Sequence, residues 1–147
     1  MADKRQMKSL PKVSNKPNKK FGTGEGVSTH HLHIHFVFDK FDSDLPIEKG
    51  KSDTSSICSI MQHFKSYQNQ TWADILGNER NHPVLIEDFA KFARDRIQDI
   101  FPGGVDFDEL FTLRFNGAQR LWGIKVGEKY HVLWWDPEHE VCPSSKK

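Results

Sequence analysis

Apolar positions recur with a period of two near both ends of the chain and with a period near 3.6 between them. The last third, residues 110–143, is the clearest case. Phe111, Leu113 and Phe115 alternate with Thr112, Arg114 and Asn116. Residues 120–126 and 130–136 follow, separated by the turn Gly127-Glu128-Lys129. Short β-rich runs joined by glycine-bearing turns predict three consecutive hairpin-linked strands. Near the start, residues 30–41 (HHLHIHFVFDKF) predict another strand. Successive side chains on a strand point oppositely, so Leu32, Ile34, Phe36 and Phe38 share one face and His31, His33 and His35 the other.

Residues 42–51 form a polar loop, after which Ser52 or Asp53 can cap a helix running to about residue 68. Its apolar stripe is Ile57, Ile60, Met61, Phe64 and Tyr67, with Cys58 flanking it as a buried small hydrophobe. Thr71 caps a short helical turn that Gly77 ends. Residues 78–83 predict a loop in which His82 is a surface or cap residue. Residues 84–100 carry Leu85, Phe89, Phe92, Ala93, Ile97 and Ile100, a second amphipathic helix that Phe101-Pro102-Gly103-Gly104 stops. The order is strand, helix, helix, strand, strand, strand. The expected class is α+β, a two-layer sandwich with both helices on one face of an antiparallel-rich sheet. The other face is then open, or covered by the tail or a partner.

Charge divides the chain. The 147 residues carry a net +1. Residues 1–29 hold seven basic and two acidic residues, residues 30–109 eight and fourteen, and residues 110–147 six and four. The first segment is rich in Lys, Asn, Ser, Pro and Gly and predicts a disordered basic arm. It is a solubilising tail or an electrostatic tether to nucleic acid or a ribosome. Residues 30–147 make one α+β domain. No apolar run reaches the roughly 20 residues a membrane span needs, and the N-terminus lacks the apolar centre of a secretory signal. Cys58 and Cys142 form no CxxC pair, so neither a disulfide framework nor a thiolate zinc site is expected. A reduced, cytoplasmic setting follows, with no membrane partner.

Chemistry-bearing side chains concentrate in the last third: Arg114, Arg120, Lys125, Tyr130, His131 and His139. Metal-free RNA cleavage needs a base for the 2′-hydroxyl, an acid for the leaving oxygen and cations for the phosphate. Histidine suits the first two and arginine the third. The same residues also admit packing and ion-pair roles. Trp122, Trp134 and Trp135 can stack on bases, though core packing is expected of at least two. His31, His33 and His35 can together bind a metal such as zinc. Asp136, His139 and Glu140 would join them only if the first and last strands meet.

The element order resembles the RelE/ParE-type toxins of bacterial toxin–antitoxin modules. Leu113-Arg114-Phe115 followed by residues 120–127 (RLWGIKVG) is similar to that family's paired strand arginines. The ending, with Trp134, Asp136, Pro137 and His139, resembles a group of phage- and mobile-element-associated proteins that end in a WxDPxH motif. The resemblance implies a ribosome-dependent endoribonuclease acting on mRNA without metal or cofactor. It implies Arg114, Arg120, His131 and His139 as catalytic residues, with Lys125, Tyr130 and Trp135 binding RNA. A cognate antitoxin is the implied protein partner, and RNA or the ribosome the target. The near-neutral charge and the carboxylates Asp136, Glu138 and Glu140 depart from the family. They keep open a non-catalytic interaction module that binds a protein or nucleic acid through the same sheet.

Overall fold

The computed structural model describes residues 28–46 and 54–143. Nearly all of the expected basic arm, and the Ser52 or Asp53 cap, lie outside them. Five strands make one sheet: β1 (His35–Val37), β2 (His82–Leu85), β3 (Glu109–Arg114), β4 (Arg120–Val126) and β5 (Lys129–Asp136). Their order is β1-β5-β4-β3-β2. Only β1 and β5 are parallel, with Phe36 opposite Tyr130; the other pairings are antiparallel. Three helices accompany the sheet: α1 (Thr54–Gln68), α2 (Trp72–Leu76) and α3 (Lys91–Ile100). The class is the expected one, α+β with an antiparallel-rich sheet, and the C-terminal meander is β3 to β5. Among the described residues no helix is long and apolar enough to cross a membrane.

The helices do not share one face, as the sequence reading had them. Tyr67 of α1 and Trp72 and Ile75 of α2 pack with Phe111, Leu113, Leu121, Tyr130 and Val132. Ala93 and Ile97 of α3 pack with Leu110, Trp122, Ile124, Leu133 and Trp134 on the opposite face. Adjacent apolar residues on the strands (Leu110-Phe111, Leu121-Trp122, Val132-Leu133) point both ways and require a cover on each side. Among the described residues, both faces of the sheet are packed against helices.

The predicted helix over residues 84–100 is shorter than expected. Val84 and Leu85 belong to β2, opposite Leu110 and Glu109. A 3-10 turn at Ile86–Asp88 follows, and α3 starts at Lys91. Pro83, lacking an N–H, fits because β2 is an edge strand. Phe89 plugs the core edge-on to Trp122 at 5.0 Å, and the Ala90 N–H bonds the Val141 carbonyl at 2.8 Å. The first strand is shorter too. His33 makes only an isolated bridge to Thr71, and that chain segment is held instead by the Trp72 and Ala73 N–H groups, which bond the Leu32 and His30 carbonyls. The capped turn at α2 is as read: Thr71 Oγ1 accepts from the Asp74 N–H and Asp74 Oδ2 accepts from the Thr71 N–H. Cys58, expected buried, is exposed, as are Ile57 and Met61. They ride the flank of the stripe that Ile60, Phe64 and Tyr67 complete.

One irregularity governs the end of β5. Trp122 lies opposite Trp134 but Gly123 lies opposite Val132, so Leu133 is an extra residue. Such a bulge reverses which face every later side chain takes. Trp134 and Asp136 therefore join the α3 face, and Trp135 the α1 face. Asp42 holds the bulge. Its N–H donates to the Leu133 carbonyl at 2.9 Å, and its carboxylate accepts from Trp134 Nε1 at 2.9 Å. Arg96 of α3 donates to the same carboxylate through Nε and Nη2, at 3.0 and 2.8 Å. Burial pushes the Asp42 pKa upward, but the bonds from Arg96 and Trp134 outweigh it and the net pKa falls below 3.8. Removing one partner of such a buried pair costs about 3–5 kcal/mol. Asp42→Ala is expected to lower the unfolding free energy by about that much in urea titration; a loss under about 1 kcal/mol contradicts this role.

Candidate functional site

The covered faces push the polar chemistry to one end of the sheet, where β3 and β5 finish and β4 begins. Arg114 and Arg120 are directly opposite across the β3–β4 pair, roughly 5 Å apart at Cα. Arg120 faces Asp136 on its other side. Arg80 lies in the turn that leads into β2, two residues before His82, which meets Thr112 on β3. Arg80 acts electrostatically on Arg120. Arg114 and Arg120 thus pair across neighbouring strands, and Arg80 adds its charge from the turn before β2. Like charges placed directly opposite destabilise a sheet, so the row costs stability rather than contributing it.

The loop bearing Arg80 is fixed by Asn81, which is buried. Its Oδ1 accepts from the Arg114 N–H at 2.9 Å and from the Tyr67 hydroxyl at 3.1 Å. Its Nδ2 donates to the Ile75 carbonyl at 3.2 Å. Arg120 donates through Nη1 to the Gly117 and Gln119 carbonyls at 2.8 and 3.0 Å. Burial and then the Arg114 charge depress the Arg120 pKa, which still leaves it a cation at neutral pH. Among the described residues neither Arg114 nor Arg120 forms a salt bridge.

Asp136 does not neutralise the row freely, because it holds its own loop. It is fully buried. Oδ1 accepts from the Glu140 N–H at 2.8 Å; Oδ2 accepts from the Val141 N–H at 3.0 Å and from Trp122 Nε1 at 3.2 Å. The turn it closes carries His139 at φ 60°, a left-handed conformation that a non-glycine residue adopts only when held there. Burial first, and then Arg120, depress the His139 pKa below 6.5; Arg114 adds to the effect and Asp136 opposes it. His139 is therefore neutral at pH 7 and able to accept a proton.

The other expected site residues lie elsewhere. His131 sits five residues up β5 from Asp136, roughly 16 Å along the strand. It is buried, and its Nδ1 pairs with Asp39 Oδ1 at 2.9 Å. Lys125 is only 5% exposed; its Nζ lies 4.7 Å above the Trp72 ring, and burial lowers its pKa. Tyr130 is fully buried and donates to the Phe111 and Leu121 carbonyls at 2.7 and 3.2 Å. Neither can touch RNA. The family resemblance had assigned both to RNA, but the face they enter is filled by α1 and α2. Trp135 keeps part of its surface exposed. His31, His33 and His35 are exposed, and His33 Nδ1 lies 3.1 Å from the Gln68 carbonyl. Although β1 does pair with β5, it meets the beginning of that strand. Its histidines are thus about 23 Å along the sheet from Asp136 and His139. Among the described residues no three His, Cys, Asp or Glu side chains cluster to hold a metal ion.

Arg80 and Asn81 were missed by sequence reading. They fall in a polar loop with no motif, and only the fold brings Asn81 to the Arg114 N–H and the Arg80 charge to Arg120. Comparison with protein-family models, with curated proteins and with solved structures returns no match.

The site separates residues that hold the fold from residues that strain it. Asp136→Ala strands three buried donors and is expected to cost about 3 kcal/mol or more. Arg114→Ala relieves repulsion and is expected to stay within about 0.5 kcal/mol of wild type or to stabilise. Urea midpoints of the two variants check both; a large loss for Arg114→Ala would make that arginine structural.

Proposed function

We propose that the protein is a RelE-type toxin that cleaves mRNA on the ribosome without a metal, in the cytoplasm, and that a cognate antitoxin restrains it. The observation that carries this reading is the cross-strand pair Arg114–Arg120, set beside a histidine kept neutral. Paired guanidiniums match the oxygens of a phosphodiester. Arg120 lies opposite Asp136, whose carboxylate is also bonded by Trp122 and the loop backbone. In this reading Arg114 and Arg120 hold the scissile phosphate, and Arg80 extends the cationic row along the backbone. His139 takes the 2′-hydroxyl proton. The 2′-oxygen then attacks phosphorus, the bond to the 5′-oxygen breaks, and the leaving oxygen takes a proton from solvent. A cyclic 2′,3′-phosphate and a 5′-hydroxyl result.

A second reading has its own support. His131 is tied to Asp39 far from the row, so the site holds one histidine where cleavage draws on both a base and an acid. A protein that binds nucleic acid through the row without cutting it is consistent with that economy.

Cleavage of ribosome-bound mRNA separates the two. Arg120→Ala and His139→Ala are each expected to lower kcat/KM by about a hundredfold or more, and His131→Asn to change it by less than about threefold. With His139 as base, the rate should rise with pH and level off below pH 6.5, because the residue's pKa lies under that value. Wild-type protein that binds RNA but leaves it intact supports the second reading. Failure to bind RNA at all removes both.

A further inference from the structure

Among the described residues six large apolar side chains stand well exposed, and four of them gather on one side of α1: Phe38, Phe41, Ile57 and Met61. The Phe38 ring lies 6.4 Å from Phe41 and 6.1 Å from Phe64 of α1. Met61 and Ile57 precede Phe64 by one and two helical turns on the same flank. The other flank is taken. There Asn116 Nδ2 donates to Ser59 Oγ at 3.0 Å, and His63 lies 5.1 Å from Phe115. Ile57 and Met61 therefore overhang β1, the edge of the sheet.

That edge is open over one short stretch. The His35 N–H bonds the Glu128 carbonyl, so residues 35 and 37 turn their N–H and C=O groups to β5, and Phe36 turns its own outward. On one side of this opening His33 bridges Thr71, and the Leu32 carbonyl accepts from the Trp72 N–H. On the other side the Phe38 carbonyl accepts from the Phe41 N–H. An extended peptide adding a strand needs a longer ladder than this. A second copy does not. A twofold axis beside Phe36 lets each Phe36 N–H donate to the other's carbonyl, as one closely bonded antiparallel pair. The same axis brings the Ile57 and Met61 flanks of the two α1 helices face to face on one side of the joined sheet.

The area fits that partner. The four side chains are 44% to 59% exposed. At roughly 200 Å² for each, they offer about 400 Å² of apolar surface per chain. A standard interface buries about 800 Å² per partner, a little over half of it apolar. The net charge of +1 leaves little repulsion between copies. We infer that this face is the interface of a homodimer, built from antiparallel β1 edges and the Ile57–Met61 flanks of α1. Dimerisation joins the two five-stranded sheets and leaves their arginine ends pointing in opposite directions. The inference therefore stands or falls independently of what those arginines bind.

Sedimentation velocity of the full chain between about 1 μM and 1 mM tests it. Wild type is expected to move from one chain to two, with a dissociation constant in the micromolar range or tighter. Met61→Glu puts a carboxylate into the apolar contact from each side and is expected to weaken the dimer about tenfold or more. Met61 is exposed, so the variant's circular dichroism is expected to match wild type. Leu85→Glu changes an exposed apolar residue on β2, at the opposite edge of the sheet, and is expected to leave the dimer unchanged. Wild type that stays monomeric throughout overturns the inference and leaves the patch to another segment of the chain or to a different protein. A dimer that Met61→Glu does not weaken overturns it too, as does one that Leu85→Glu weakens equally.

Discussion

The Leu133 bulge, clamped by Asp42, is the constraint on which the candidate site depends. Without the extra residue, β5 would keep strict alternation from Tyr130 onward, and Asp136 would fall on the α1 face. It could then reach neither Trp122 nor the backbone of residues 140 and 141, the groups that close the turn under His139. Asp42 fixes the bulge from outside the meander through its own N–H, the Trp134 indole and the Arg96 guanidinium. A residue 54 positions earlier than Arg96 thereby decides where the end of the chain points its chemistry.

Burial of both sheet faces decides the rest. Lys125, Tyr130 and His131 are chemically capable side chains, but each is spent inside: on the Trp72 ring, on two carbonyls and on Asp39. What remains accessible is the end of the sheet, where Arg114 and Arg120 repel one another across the pair. Like charges are costly to hold together, and local departures of this kind collect at sites of function. The left-handed backbone at His139 is a second departure in the same place.

Much of this was legible in the sequence, and the failures have physical causes. The meander, the α2 capping box and the α+β class followed from periodicity and turn chemistry. The pairing of Arg114 with Arg120 was suggested by the family resemblance alone, because strand register cannot be read from the sequence. Residues 84 and 85 were read as helix because Leu85, Phe89, Phe92 and Ala93 keep helical spacing; β3's unpaired edge recruited them instead. The side on which α3 packs was hidden, since an amphipathic stripe says that a helix is covered and not by which face. His131 was grouped with His139 because the family resemblance places a late catalytic side chain in that region. Only the bulge and the strand length show that they lie on different parts of the sheet.

The central claim is that Arg114, Arg120 and His139 form one anion site. Its most direct test is the titration of His139 followed by proton NMR of the imidazole ring, in wild type and in Arg120→Ala. The account predicts a midpoint below pH 6.5 in the wild type, moving upward when the Arg120 charge is removed and again when inorganic phosphate binds the wild type. A midpoint at or above pH 6.5 that ignores both changes would contradict it.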